Sequence, residues 1–240
     1  MKILFVTLEQ SARQNLKVLL NNKFIQSNID KFYTFGMEKE GLPFRDLTNI
    51  KIKSLMGLVD ICKNLKYVFS LRNSLYLLEK ENNFTHIFFI DSFDFSKFYL
   101  NKYRNRSVKY CQLIGPSVFI WKKNKAQYIN DYFDHIFSIF EIEKKFYIKE
   151  KYSYIGHPLL NNIVHRKRNK FPIKNIGIFL GSRCQEIIYN IPIISDLITN
   201  LKKLDDFTFH FFVIKEFEKI IKNNFENKNF QFHLNDNEYY

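Results

Sequence analysis

The sequence predicts an α/β protein: a parallel-sheet domain over residues 1–160, a linker over 161–174, and a smaller, incomplete parallel-sheet domain over 175–240. Three observations predict it. Short apolar runs alternate with amphipathic stretches at helical spacing, the order a parallel sheet requires because its crossovers are helical. The apolar runs are continuous rather than alternating, as in strands covered on both faces. A polar, basic stretch from Asn161 to Lys174, with Pro172 near its end, then interrupts the series before it resumes.

In chain order, Lys2 to Thr7 reads as a buried strand, and Ser11 to Asn21 as a helix with Leu16, Val18, Leu19 and Leu20 at helical spacing. Leu55 to Glu81 is long and amphipathic and predicts one or two helices. His86 to Ile90 is a second buried strand and ends at Asp91. Ser96 to Arg104 predicts a helix, Val108 to Ile114 and His135 to Phe140 further strands, Glu141 to Lys149 a short helix and Tyr152 to Ile155 a short strand. Beyond the linker come strand Ile176 to Leu180, helix Cys184 to Leu204, strand Phe207 to Ile214, helix Glu216 to Phe225 and strand Phe230 to Leu234. Right-handed crossovers place the loops after these strands on one edge, where ligands bind.

Composition narrows the class. Hydrophobic residues make up 46% and charged residues 25%, which supports packed cores and excludes wholesale disorder. Phe (27) and Tyr (14) far outnumber Gly (7), and such residues chiefly fill cores. The net charge of +13 favours anionic partners: nucleic acid, an anionic membrane or phosphorylated substrates. The densest basic run, His165 to Lys170, reads as solvated linker. Cys62, Cys111 and Cys184 are far apart and form no Cys-x-x-Cys pair, so neither a disulfide framework nor a zinc site is expected, and a reducing cytoplasm fits. The N-terminus lacks a signal-peptide pattern, and no apolar run reaches the roughly 18 residues of a membrane span.

Four segments offer chemistry. Ile90-Asp91-Ser92-Phe93-Asp94-Phe95 puts Asp91 at the carboxyl end of a buried strand, suited to a general base. Asp94 suits the N-cap of a helix starting at Ser96. Gly115 to Lys122 is a loop after a strand; it offers the Ser117 hydroxyl, the chain's only tryptophan, Trp121, and the Lys122 cation. It would serve equally as a structural loop with Trp121 packed on the sheet. Ile155-Gly156-His157-Pro158-Leu159 places an imidazole where the first domain gives way to the linker, able to bind a phosphate or sugar oxygen or to play a structural part. Leu180-Gly181-Ser182-Arg183, with Glu186 one turn on, is a strand–turn–helix whose free amides and Arg183 suit a diphosphate. An ordinary turn with Ser182 as N-cap has the same pattern. It is neither a Walker motif nor Gly-x-Gly-x-x-Gly.

Taken in order, these segments resemble the lipid-A-disaccharide synthase family. Ile90 to Phe95 is similar to its Ile-Asp-Ala-Pro-Asp-Phe, and Pro116 to Lys122 to its Pro-Ser-Val-Trp-Ala-Trp-Lys/Arg, with Phe119 at the first Trp. Phe140-Glu141, ahead of Lys144 and Phe146, resembles Pro-Phe-Glu-x-x-Phe-Tyr. Gly156 to Leu159 matches Gly-His-Pro-Leu, and Leu180 to Arg183 with Glu186-Ile187 resembles Leu-Pro-Gly-Ser-Arg-x-x-Glu-Ile. The family's Gly-Glu-Ala-Ser-Gly-Asp is here Leu8-Glu9-Gln10-Ser11-Ala12-Arg13, which keeps Glu9 and Ser11 and loses the glycines. Family members continue into a Ser-Gly-Thr turn followed by a Glu and a final helix, so the resemblance implies a chain that stops within its donor-sugar domain.

The resemblance implies a GT-B-like arrangement: a Rossmann-like acceptor-side domain and part of a Rossmann-like donor-side domain. It implies an inverting glycosyltransferase that joins UDP-2,3-diacylglucosamine to a lipid X-like phospholipid, 2,3-diacylglucosamine 1-phosphate, with release of UDP. Asp91 is then the base; Glu9, Ser11, Ser117, Trp121 and His157 bind substrate; Gly181, Ser182, Arg183 and Glu186 hold the nucleotide diphosphate. No metal or cofactor is implied, the UDP-sugar being a substrate. The expected setting is cytoplasmic, peripheral on the inner face of the inner membrane of a Gram-negative-type bacterium. There +13 meets an anionic surface, the segment from Leu55 to Leu78 meets either acyl chains or the core, and a homodimer is compatible. Rival readings are a non-catalytic remnant or binding module, another GT-B enzyme such as a nucleotide-sugar epimerase lacking the Pro116–Lys122 loop, and a nucleic-acid binder. The last has no recognised motif to support it.

Overall fold

β1 (Ile3–Val6) is buried at all four positions, and its side chains alternate between two cores. Ile3 and Phe5 pack with Ala12 and Leu16 on one side; Leu4 and Val6 pack with Leu71, Leu75 and Phe89 on the other. This is the burial that a continuous apolar run requires. The chain is described by a computed structural model covering residues 1–20, 23–37, 45–52, 64–120, 124–158, 160, 174–181, 184–201, 207–225 and 229–234. It divides into two compact units, Met1–Val164 and His165–Tyr240.

In the first unit β1 leads into α1 (Gln10–Leu20), a short α2 (Lys23–Gln26), β2 (Phe32–Phe35) and β3 (Arg45–Asp46). α3 (Leu65–Asn82) follows and ends where Asn83 turns left-handed at φ 51°, a conformation asparagine tolerates. Then come β4 (His86–Ile90), α4 (Phe93–Tyr103), β5 (Lys109–Leu113), α5 (Asn124–Tyr132), β6 (His135–Ser138) and, after 3₁₀ turns at Glu141–Phe146 and Lys149–Lys151, β7 (Tyr152–Tyr154). The seven strands form a parallel sheet in the order β3-β2-β1-β4-β5-β6-β7. Ile3 lies opposite both Phe32 and His86, His86 opposite Lys109, Cys111 opposite His135 and Ile136 opposite Tyr152.

That order reverses direction between β1 and β4. The connections leave β1 on opposite sides, opening a crevice at the carboxyl ends of these two strands, the position where open α/β sheets take ligands.

The second unit is a parallel sheet ordered β10-β9-β8, built from β8 (Asn175–Phe179), α6 (Cys184–Leu201), β9 (Thr208–Val213), α7 (Glu218–Asn224) and β10 (Phe230–Leu234). Ile178, Phe209, Phe211 and Val213 pack with Ile187 and Ile198 of α6 and Ile221 of α7.

The expected strands fall within about two residues of those observed; α2, β2, β3 and α5 are additional, and the helix expected over Glu141–Lys149 is instead 3₁₀ turns. Asp94 does not cap a helix starting at Ser96: α4 already begins at Phe93, Ser92 holds the cap position, and Asp94 instead meets Lys125 at 3.1 Å. Of the predicted helix over 55–81, residues 55–63 lie outside the described residues, as do 161–173 of the linker. No helix among the described residues is long and apolar enough to cross a membrane. Cys111 is buried, which pushes its thiol up to about 12, Cys184 is exposed, and Cys62 lies outside the described residues.

Candidate functional site

The crevice between β1 and β4 brings together residues that stand far apart in sequence. Ser11, in the first turn of α1, donates from Oγ to Oδ2 of Asp91 at 2.8 Å. Ser92 Oγ lies 3.5 Å from Oε1 of Glu9. Glu9 and Ser11 are exposed, Asp91 is half-buried and Ser92 is buried. A carboxylate is thus held at the mouth of the sheet, one oxygen occupied by a hydroxyl.

Its backbone is held unusually. Asp91 has φ 62° and Ile114, one strand over, has φ 58°. A β-branched residue is a marked outlier there, and such positions cost about 1–3 kcal/mol unless their surroundings enforce them. The surroundings do so here. The Asp91 amide donates to Leu113 O at 3.0 Å and the Ile114 amide to Phe137 O at 2.9 Å. Fully buried Gln112 donates from Nε2 to Asp91 O at 2.7 Å and accepts from Ser96 Oγ at 3.1 Å. β4 and β5 therefore both end in a forced turn, and the first turn aims Asp91 at Ser11.

Further along the same edge, the loop after β5 carries half-buried Ser117, with the Ile120 amide closing a turn onto Ser117 O at 3.1 Å. The loop is anchored by Glu143, which is 1% exposed. Glu143 Oε1 accepts the Val118 amide at 3.1 Å and Oε2 accepts Ser138 Oγ at 2.5 Å. Burial holds the Glu143 carboxyl above its ordinary value, against the pull of those two bonds. After β7, Gly156 takes φ 71° and half-buried His157 accepts the Leu160 amide on its carbonyl at 3.0 Å.

In the second unit Gly181 follows β8 at φ 113°, and a Cβ there would lie 2.8 Å from Glu186 Oε2. Glu186, in the first turn of α6, thus lies against Gly181, and its own Cβ at 2.9 Å together with the positive φ favours glycine there. Trp121, Ser182 and Arg183 lie outside the described residues. Among the described residues no group of three or more His, Cys, Asp or Glu could hold a metal ion.

Glu9, Ser11 and Asp91 are joined in one cluster. Ser117 and His157 stand on separate loops along the edge, and Gly181 and Glu186 lie against each other in the other unit. Sequence reasoning missed Ser92, Gln112 and Glu143. Glu143 carried a signal: the Glu-x-x-Phe-Tyr spacing is met by Glu143-Lys144-Lys145-Phe146-Tyr147, while Glu141 is exposed.

The sequence pattern of lipid-A-disaccharide synthetases matches residues 3–240. The chain belongs to this family. Its relatives include the lipid-A-disaccharide synthase of Aquifex aeolicus, 26% identical over 232 residues (92% of this chain, 64% of that protein), and that of Helicobacter acinonychis, 27% identical over 217 residues (90% and 58%). The chain therefore spans about three-fifths of the length of these relatives. Among solved structures, the UDP-GlcNAc 2-epimerase of Neisseria meningitidis bound to UDP-GlcNAc aligns with TM-score 0.61 at 14% identity, covering 98% of this chain and 73% of that one. A putative UDP-N-acetylglucosamine 2-epimerase of Listeria monocytogenes aligns with TM-score 0.61 at 10% identity, covering 98% and 69%. At these identities the likeness shows the fold alone, and that fold is GT-B.

Proposed function

We propose that this family member is a lipid-A-disaccharide synthase-like inverting transferase that joins UDP-2,3-diacylglucosamine to 2,3-diacylglucosamine 1-phosphate. The observation that carries the reading is the Asp91 carboxylate, turned out of β4 into the crevice with Ser11 on Oδ2. Oδ1 takes the proton of the acceptor hydroxyl. The freed oxygen pair attacks the anomeric carbon of the donor as its bond to the UDP oxygen breaks, and the electrons of that bond leave on UDP. Attack opposite the leaving group inverts the anomeric centre. Glu9, Ser117, Trp121 and His157 bind the sugars. Gly181, Ser182, Arg183 and Glu186 take the diphosphate, whose charge a helix N-terminus and a guanidinium offset. The reaction draws on no metal or cofactor.

Both substrates are acylated and anionic, so the chain works at the inner leaflet of a Gram-negative inner membrane. Its +13 charge supports that setting, each Lys or Arg near an anionic surface contributing about 1 kcal/mol. The test is to incubate the chain with both substrates and assay UDP and disaccharide 1-phosphate. Both products are expected. Binding of UDP-sugar without product makes the chain a binding module of the family, and absence of both overturns the reading.

A further inference from the structure

Glu143 is among the most buried ionisable residues described, and it does not touch the Asp91 cluster. A buried carboxyl costs stability unless its oxygens are matched, and an apolar side chain of the same size would fill the space without that cost. What an apolar side chain cannot supply is a directed bond to one chosen backbone amide. Glu143 makes that bond to Val118, immediately after Ser117, while its other oxygen takes the hydroxyl of Ser138, the last residue of β6. Ser138 Oγ in turn accepts the Phe140 amide at 3.0 Å. The rings of Phe119 and Phe140 meet edge-on at 5.3 Å, a second tie between the same segments. Val118 itself is 1% exposed, whereas Ile120, two residues on, is 59% exposed. The loop is thus pinned at its middle and open at its far end.

We propose that Glu143 is a positioning residue for the 116–120 loop: by tying the Val118 amide to Ser138 it sets the place and angle at which the Ser117 hydroxyl meets the acceptor sugar. This rests on the reading that the loop binds acceptor. The burial that raises the Glu143 carboxyl also keeps water from competing for the Val118 amide.

Two measurements on the full chain test it: hydrogen exchange at the Val118 amide without substrate, and steady-state transfer to 2,3-diacylglucosamine 1-phosphate. Glu143→Ala is expected to speed Val118 exchange by about tenfold or more, the size of one lost hydrogen bond, with the amides of β4 unchanged. It should raise the acceptor KM by a similar factor with kcat little altered. Glu143→Gln keeps a carbonyl oxygen for the amide and should restore both values. Where the alanine variant does not fold, Glu143→Met, which fills the space and removes both acceptor oxygens, takes its place. Unchanged Val118 exchange in Ala or Met, an unchanged acceptor KM, or a Gln variant as impaired as Ala each overturns the proposal. A wild-type chain that makes no disaccharide defeats the reading of the reaction instead, and exchange still decides whether Glu143 braces the loop.

Discussion

Ser11 and Asp91 are 80 positions apart in sequence, yet the Ser11 hydroxyl donates to Asp91 Oδ2 at 2.8 Å. The contact spans the point where strand order reverses, and it leaves the second carboxylate oxygen for a substrate proton. Asp91→Asn should therefore lower kcat for UDP release by about 10²–10⁴-fold, the usual contribution of a general base. The amide still accepts from Ser11, so the urea midpoint should stay within experimental error. Ser11→Ala removes only the orienting partner and should cost about tenfold, the worth of one hydrogen bond. Wild-type turnover by Asp91→Asn would rule out its role as base.

How much of this could be read beforehand depended on burial. β1, β4 and β5 announce themselves because both faces are covered, which leaves continuous apolar runs. β2 is four residues of Phe-Tyr-Thr-Phe between Lys31 and Gly36, and β3 is a two-residue edge strand with Arg45 exposed, so neither has a run long enough to register. α5 buries only Ala126 and Ile129, too few for a period to show. Glu9, Ser11 and Asp91 could be singled out as motif residues. Their joining could not, because it depends on two left-handed residues that are not glycine. Glu143 was overlooked because glutamate is seldom buried, so composition points it outward.

Gly36 governs how closely the β1 and β2 ends approach. It has φ 106°, and a Cβ there would lie 2.2 Å from the carbonyl oxygen of Thr7. The obstacle is backbone and cannot swing away. Gly36 also accepts from Arg13 Nη1 at 3.0 Å, which ties the start of α1 to this turn. Gly36→Ala should lower stability by about 3 kcal/mol or more, from strain and displacement together, read as a fall in the urea midpoint. Because the shift propagates to the Glu9–Ser11 segment, acceptor binding should weaken as well. An alanine variant with wild-type stability would mean that the Thr7 and Gly36 backbones are further apart than described.

Asp134 guards the acid side of the stability profile. Burial alone would raise its carboxyl, but the Tyr110 amide at 3.0 Å and the Lys109 ammonium at 3.0 Å outweigh that and hold it below its ordinary value. A depressed folded-state pKa gives stability that is present above the unfolded value and lost as pH falls through the folded one. Asp134→Asn should lose about 1 kcal/mol at neutral pH and flatten the acid-side decline below about pH 4, measured by urea unfolding across pH. An unchanged acid slope would remove Asp134 from this role.

Glu79 acts in the opposite sense. It sits on α3, is 6% exposed, and accepts Tyr99 Oη of α4 at 2.5 Å and Tyr110 Oη of β5 at 2.8 Å. Desolvation raises its carboxyl above the ordinary value, more than the bonds from Tyr99, Tyr110 and Asn105 lower it. Between the unfolded and folded values the native state therefore holds a proton that the unfolded chain has released. Stability is greatest below the unfolded pKa and falls as pH rises through the folded one. Glu79→Gln retains groups that pair with both phenols and removes the titration, so its urea midpoint should fall less than that of wild type as pH rises from about 4 to neutrality. Glu79→Leu fills the space but strands two buried hydroxyls, and should cost about 2–3 kcal/mol across that range. Parallel pH profiles for wild type and Glu79→Gln would show that Glu79 is already ionised in the native state. The three-way tie between α3, α4 and β5 would then depend on a buried charge.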